Sequence, residues 1–376
     1  MKSSHSWARR TLFRNPSDAG ITVITTLVCG WAALSLATWA INAAQWDIIV
    51  DNLKVLLVGI YPAEALWRVW IFLSAMMIAA SFAGGRLFGF NVRSGAILGG
   101  LLLALSAIAI YMGVSGSQWL LIASLVSTTF YYLGASDVRW VRAGANLIVT
   151  FIAIAGTYVL LSHQVKSIGG LLLSTLITLV TSLMVIPLGI LLALGRQSKI
   201  LSLRVCCTAF IETIRSMPLI LVVYGVWISV PLVFQGSDIP DVYRGMLGFV
   251  IFYSAYSAEF IRSGLLSIPR GQTEAAASLG LSKFHTQTEI ILPQALRVSI
   301  PSLVGNILDV FNFAPLIFII GLTEFMRAGQ IVLSNPQYSA HAYEVFVFLF
   351  AVYFVIGSCL TFFSRRLEAI YAKGSR

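Results

Sequence analysis

Long apolar runs alternate with short polar breaks along the whole chain. About 20 consecutive apolar residues carry a helix across the hydrocarbon core of a bilayer. On that measure the pattern predicts ten spans, at about 21–43, 66–84, 95–113, 118–134, 144–162, 169–195, 217–234, 245–264, 298–320 and 344–363, the fourth being short. Between the first two, Asp47, Asp51 and Lys54 alternate with Ile48, Ile49, Leu53, Leu56 and Leu57 at near-helical spacing. That spacing predicts a helix lying in the membrane interface or packed on the outer face. Trp46, Tyr61, Trp67 and Trp70 beside it are aromatics of the kind that sit at headgroup depth.

The polar loop at 265–297 is long for a membrane protein. Pro269 suits a first helical turn, and Thr273–Leu279 is a run of helix formers with a slim face of alanines. Gly280 is a natural stop, Ser282 an N-cap for a second helix over Lys283–Ile291, and Pro293 the residue that ends it. Two short helices at an angle form a lever, and small alanines let a partner's groove approach closely. Glu274 supplies a charge for the rim of such a contact.

Composition agrees with an all-α integral membrane protein. Mean hydropathy is +0.87, and 58% of residues are hydrophobic with only 11% charged, against about 25% charged in soluble domains. Charge then orients the spans. Alternate loops, counted with both termini, carry nineteen Lys and Arg against five on the other side, with Arg262 at a helix end completing the twenty-five. The positive-inside rule therefore puts both termini and the 265–297 loop in the cytoplasm. The net charge of +10 follows from this asymmetry. The basic residues form no continuous patch, so nucleic acid is not an expected partner. The first span is longer than the apolar part of a secretory signal and reads as an uncleaved anchor. Cys29, Cys206, Cys207 and Cys359 have no metal-ligand spacing and read as apolar filler. No metal site and no catalytic constellation is expected: His163, His285 and His341 are isolated, and no Ser-His-Asp or paired-carboxylate arrangement stands out.

Glu274-Ala-Ala-Ala-Ser-Leu-Gly280 followed by Ile291-Leu-Pro293-Gln-Ala-Leu296 resembles the "EAA" region of type I ABC-importer permeases. Pro187–Gly195, Ile214-Arg-Ser-Met-Pro218-Leu, Ala255–Gly264 and Ile320–Gly329 are similar to its polar amino-acid uptake branch, so the resemblance covers 169–376. Arg9–Pro16, Tyr61-Pro62 and Trp67-Arg68 resemble the longer M-type subunit of general L-amino-acid importers of the Aap/Bzt/Nat kind. The resemblance implies an amino-terminal transmembrane extension, 1–168, and a permease core, 169–376, of five helices. It implies a permease subunit in a bacterial inner membrane, with a second, Q-type permease, two cytoplasmic ABC ATPase subunits and a periplasmic amino-acid-binding protein as partners, besides membrane lipids. Glu274, Ala275, Ala276, Gly280 and Pro293 would then couple the permease to its motor. The chain has no G-x-x-x-x-G-K-[ST] run, so ATP and Mg would belong to the ATPase subunits and no cofactor to this chain. A stand-alone secondary transporter is the alternative, but it would leave the loop without a purpose.

One helix departs from the family. Where relatives commonly read Lys-Asp-Thr-Ser-Leu, this chain reads Asn312-Phe-Ala-Pro315-Leu316, and Asp309 replaces a usually apolar residue. A charge inside a span defaults to a functional reading with a partner. Asn306, Asp309 and Asn312 recur every third residue and share one broad helix face. Pro315 would break the helix and free carbonyls, as transporters do at binding sites. Either this face lines the translocation path, with Asp309 drawing a substrate's ammonium group, or Asp309 bridges to Arg262 or to the partner permease. Glu259 with Arg262, and Glu212 with Arg215, are spaced to pair on helix surfaces, as architecture or as a gate.

Overall fold

The computed structural model describes residues 15–89, 99–100, 103, 118–136, 138–162, 165–235 and 238–372. Among them only helices and turns occur, apart from one isolated bridge between Gly170 and Glu324. The amino-terminal part comprises α1 (Pro16–Asn42), the short α2 (Asp47–Asp51) and α3 (Leu53–Val58), then α4 (Leu66–Phe88), α5 (Gln118–Ala135) and α6 (Arg139–Leu161). The remainder comprises α7 (Gly170–Arg196), α8 (Leu201–Ser216), α9 (Leu219–Val233), α10 (Asp241–Ser267), α11 (Arg270–Ser278), α12 (Lys283–His285), α13 (Leu292–Phe313), α14 (Phe325–Ser334) and α15 (Ala342–Ala372).

Six helical runs among the described residues are long and apolar enough to cross a membrane, and seven if the bent pair α8–α9 is one span. The span expected at 217–234 is only the second arm of that pair. Met217 is extended ahead of Pro218, which lacks an N–H, and the chain bends by 117° between the two arms. The spans expected at 118–134 and 245–264 are helices, α5 and α10, and α10 carries Asp241, Arg244, Glu259 and Arg262. The span expected at 95–113 lies outside the described residues, as does His163.

The main apolar core crosses the boundary between the two parts. Tyr61, Phe72 and Leu160 share it with Leu173, Leu176, Ile177, Phe249 and Ile317. Here α10 is the central helix, and Gly189 and Gly248 let its neighbours approach it: a Cβ on either would meet Ser257 or Val223 within 3.0 Å. The polar–apolar stretch at 47–57 forms two helices rather than one. Their buried Ile48, Ile49 and Leu56 pack on Phe325, Ala328, Val332 and Val345, so this face meets protein and not lipid. By contrast, α1 buries no residue in this chain.

Candidate functional site

Three groups of residues sit at defined places in this frame: the loop after α10, the cluster where the end of α7 meets α8 and the last turns of α10, and the middle of α13.

In the loop, α11 starts directly after Pro269 and ends in a complete Schellman motif. The amide of Leu281 donates to the Ala276 carbonyl at 3.1 Å and that of Gly280 to Ala277 at 3.0 Å. This requires φ of +76° at Gly280, where a side chain is strained. Ser282 then N-caps the next turn, its Oγ accepting from the His285 amide. Ala276 is 2% exposed, while Glu274 and Ala275 face outward. The elbow presents Leu279 and Phe284 at 79% and 72% exposure. Two large apolar side chains thus stand at the tip of the loop.

The second loop helix does not stop at Pro293. Thr286–Ile291 form a π turn that runs straight into α13, and Pro293 sits in the first turn of α13. Helical backbone continues across this junction, so Pro293 withholds one N–H there, and the wider π turn just before it leaves room for its ring. The elbow is thus joined without a break to the helix that carries Asp309.

At the second place, Glu259 of α10 is a hub. It accepts from Arg262 through Nε at 3.0 Å and through Nη2, from Arg196 Nη1 at 3.1 Å, and faces Arg215 Nη1 at 3.6 Å. Arg196 also holds Glu212 at 2.7 Å. The Glu259–Arg262 pair forms as its spacing implies; the Glu212–Arg215 pair does not. Both helix-neighbour partners turn outward from α8 because Arg196, at the end of α7, and Glu259 offer better-buried ligands. Arg215 stacks over Tyr256, 5.5 Å from the ring centre. Spacing does not single out Arg196, whose partners lie 16 and 63 residues away.

At the third place, the three-residue repeat divides. Asn306 is 5% exposed and donates to the Tyr253 carbonyl at 3.2 Å and to Ser257 Oγ at 2.8 Å, tying α13 to α10. Asp309 and Asn312 are exposed in this chain, and no Asp309–Arg262 bridge occurs among the described residues. Steps of three turn a helix by about 60° each, so Asn306 faces inward while the other two come round to the open side. Asn312 borders a crevice of about 450 Å³ along α15, with Tyr353, Gly357, Ser358, Thr361 and Arg365. The break expected at Pro315 occurs: α13 ends at Phe313, Ala314–Ile320 continue as a 3₁₀ helix, and Gly321 closes it at φ of +82°. Pro315 cannot donate the bond that would continue the α-helix.

A residue that spacing did not single out is Glu324. It is fully buried, caps α14 with both oxygens on the amides of Met326 and Arg327, each at 2.8 Å, and accepts from Tyr353 OH at 3.2 Å. Burial pushes its carboxyl above the ordinary value, against those hydrogen bonds. An acid just before a helix start was the available signal.

The family model for the inner-membrane component of binding-protein-dependent transport systems matches residues 185–371. The probable glutamine ABC transporter permease protein GlnP of Bacillus subtilis (strain 168) is 30% identical over 199 residues, 53% of this chain and 90% of that one. This chain belongs to that family of permeases. The amino-terminal part is shared too. The inner membrane amino-acid ABC transporter permease protein YhdY of Escherichia coli (strain K12) is 29% identical across 98% of this chain and 93% of its own length. The glutamate/glutamine/aspartate/asparagine transport system permease protein BztC of Rhodobacter capsulatus is 27% identical across 96% and 92%. The chain is thus a multi-pass amino-acid ABC transporter permease of the long, M type. Permeases of this family are membrane subunits and not enzymes.

Proposed function

We propose that this chain is one half of the translocation pathway of an ATP-driven importer, receiving amino acids from a periplasmic binding protein and releasing them into the cytoplasm. Its other half is a Q-type permease, and two cytoplasmic ABC subunits bind ATP and Mg. The observation that carries the reading is the elbow at 270–285: a glycine-capped alanine helix with exposed Leu279 and Phe284, continuous through a π turn with α13. A push on α11 would be transmitted along that rod to Asp309 and Asn312, which makes α11 the coupling helix. With both termini and the elbow cytoplasmic, as the charge asymmetry supports, the ATPases dock on the correct side.

Cargo meets the open face of α13. Asp309 has no cationic partner among the described residues, and an ionised carboxylate at this depth demands one or a watery cavity. The ammonium group common to amino acids is such a partner. The Bzt relative is named for acidic amino acids and their amides; all of these carry that ammonium. Purely anionic cargo would require an offsetting charge from the second permease.

The test is uptake by the complex reconstituted in vesicles with ATP inside, using labelled amino acids in competition. Asp309→Asn is expected to raise KM at least about tenfold, the effect of losing about 1.4 kcal/mol, with ATP hydrolysis retained. Unchanged kinetics for every amino acid tested would remove Asp309 from the path. Uptake by this chain alone without ATP would overturn the importer reading altogether.

A further inference from the structure

The amino-terminal helices enclose a feature that cargo transport does not use. A crevice of about 530 Å³ opens between α5 and α6, with α4 as its floor. That volume lies within the range of about 300–1,000 Å³ typical of small-molecule sites. Small residues, Ser74, Ala75, Ala123 and Ala155, keep the floor deep, and the rim is built of Trp67, Trp119 and Phe151, all well exposed. Gly156 sets the depth: a Cβ there would stand 2.7 Å from that of Ala75.

The crevice has a direction. Trp67, Trp119 and Val159 mark one end, which charge asymmetry puts outside, and Ile78, Val126 and Ile152 mark the other. From Trp67 to Ile78 the floor helix rises about 16 Å, half of the ~30 Å hydrocarbon thickness. The slot therefore matches one leaflet.

Its outer mouth carries a charge. The Arg68 guanidinium lies 4.9 Å from the Trp67 ring centre, and its Nη1 donates to the Val159 carbonyl at 3.3 Å and to Ser162 Oγ at 3.0 Å. Both Trp67 and Val159 line the slot. Among the described residues Arg68 has no carboxylate partner, and its hydrogen bonds there are made through Nη1, which leaves Nε and Nη2 for a ligand. A guanidinium fork fixed at headgroup depth is a phosphate ligand by chemistry.

We propose that this slot binds one glycerophospholipid of the outer leaflet, its phosphodiester on Arg68 and one acyl chain lying along α4 between α5 and α6. The occupant is a lipid rather than this chain's own α1, whose outer end is held elsewhere by edge-on ring contacts of Trp39 with Trp46 and Tyr343. The bound lipid completes the packing of α5 on α6.

The complex in vesicles of phosphatidylglycerol bearing a photoreactive group midway along one acyl chain tests this directly. Label is expected to concentrate on peptides containing Ile122, Val126 and Ile152. Ala155→Phe, which fills the slot, should cut that label about tenfold, a loss equal to about 1.4 kcal/mol of binding, and Arg68→Gln should also reduce it. Ile154→Phe, one residue away on the exposed face of α6, should leave it unchanged. Should Ala155→Phe not insert, Ser74→Leu fills the slot from the floor. Labelling that simply follows surface exposure, or that survives both filling variants, overturns the proposal. So does a photoreactive residue at Ile122 that captures polypeptide instead of lipid.

Discussion

Asn306 and Asp309 stand three residues apart on α13, yet they face different worlds. Asn306 satisfies a carbonyl and a hydroxyl of α10 inside the protein, so Asn306→Leu should lower stability by about 1–3 kcal/mol, the cost of stranding buried polar groups. Thermal unfolding of the purified complex in detergent reads that loss, and Asp309→Asn should show almost none of it. Glu324 belongs to this scale as well. Its folded carboxyl titrates above the ordinary value of 4.5 because burial disfavours the charge. The sign follows: the folded state binds the proton more tightly, so this group's contribution is fully present below 4.5 and is lost as pH rises through the raised value. Glu324→Gln should therefore flatten the stability–pH curve just above 4.5. It should also cost about 1 kcal/mol at the α14 cap, since an amide oxygen replaces only part of the carboxylate's two bonds.

At the scale of elements, the loop was the most legible part of the chain. Ser282 as cap and Gly280 as stop are local chemistry, decided within four residues, and the helix between Pro269 and Gly280 follows from them. Pro293 misled because proline has two compatible positions, after a helix and in its first turn, and only the π turn at 286–291 distinguishes them. Arg196 was invisible for the opposite reason: its partners come from α8 and α10 and are chosen by packing, not by spacing. Two consequences can be measured. Gly280→Val should strain the left-handed turn by about 1–2 kcal/mol and weaken the coupling of ATP hydrolysis to uptake, with little change in the melting of the spans. Glu259→Gln leaves Arg196, Arg215 and Arg262 without their shared negative charge and with one acceptor oxygen in place of two. Breaking a buried pair costs about 3–5 kcal/mol, and these arginines keep some water, so a loss near the lower end is expected, with Glu212→Gln costing much less.

Across the whole molecule, hydropathy located most membrane helices but not the bent pair α8–α9, because α8 carries Arg204, Glu212 and Arg215 and reads as a loop ahead of the span expected at 217–234. Charge asymmetry between alternate loops sets the expected orientation of these helices. Single cysteines introduced at Ser278 and at Ser339 should react with a membrane-impermeant thiol reagent from opposite sides, Ser278 from the cytoplasm. The amino-terminal helices are not a separate appendage in packing terms, since Tyr61, Phe72 and Leu160 share the apolar core of α7 and α10.

Coupling requires the exposed elbow to be the place where an ATPase drives α13. Site-directed crosslinking reads it most directly: a cysteine at Ala275, which is exposed in the isolated chain, in a complex purified with its ATPase subunits. A crosslink from position 275 to the ATPase is expected, with a yield that changes when ATP is bound, and ATP-driven amino-acid uptake should be lost once the link is formed. A complex in which position 275 stays open to solvent and never crosslinks, while uptake still consumes ATP, would contradict it.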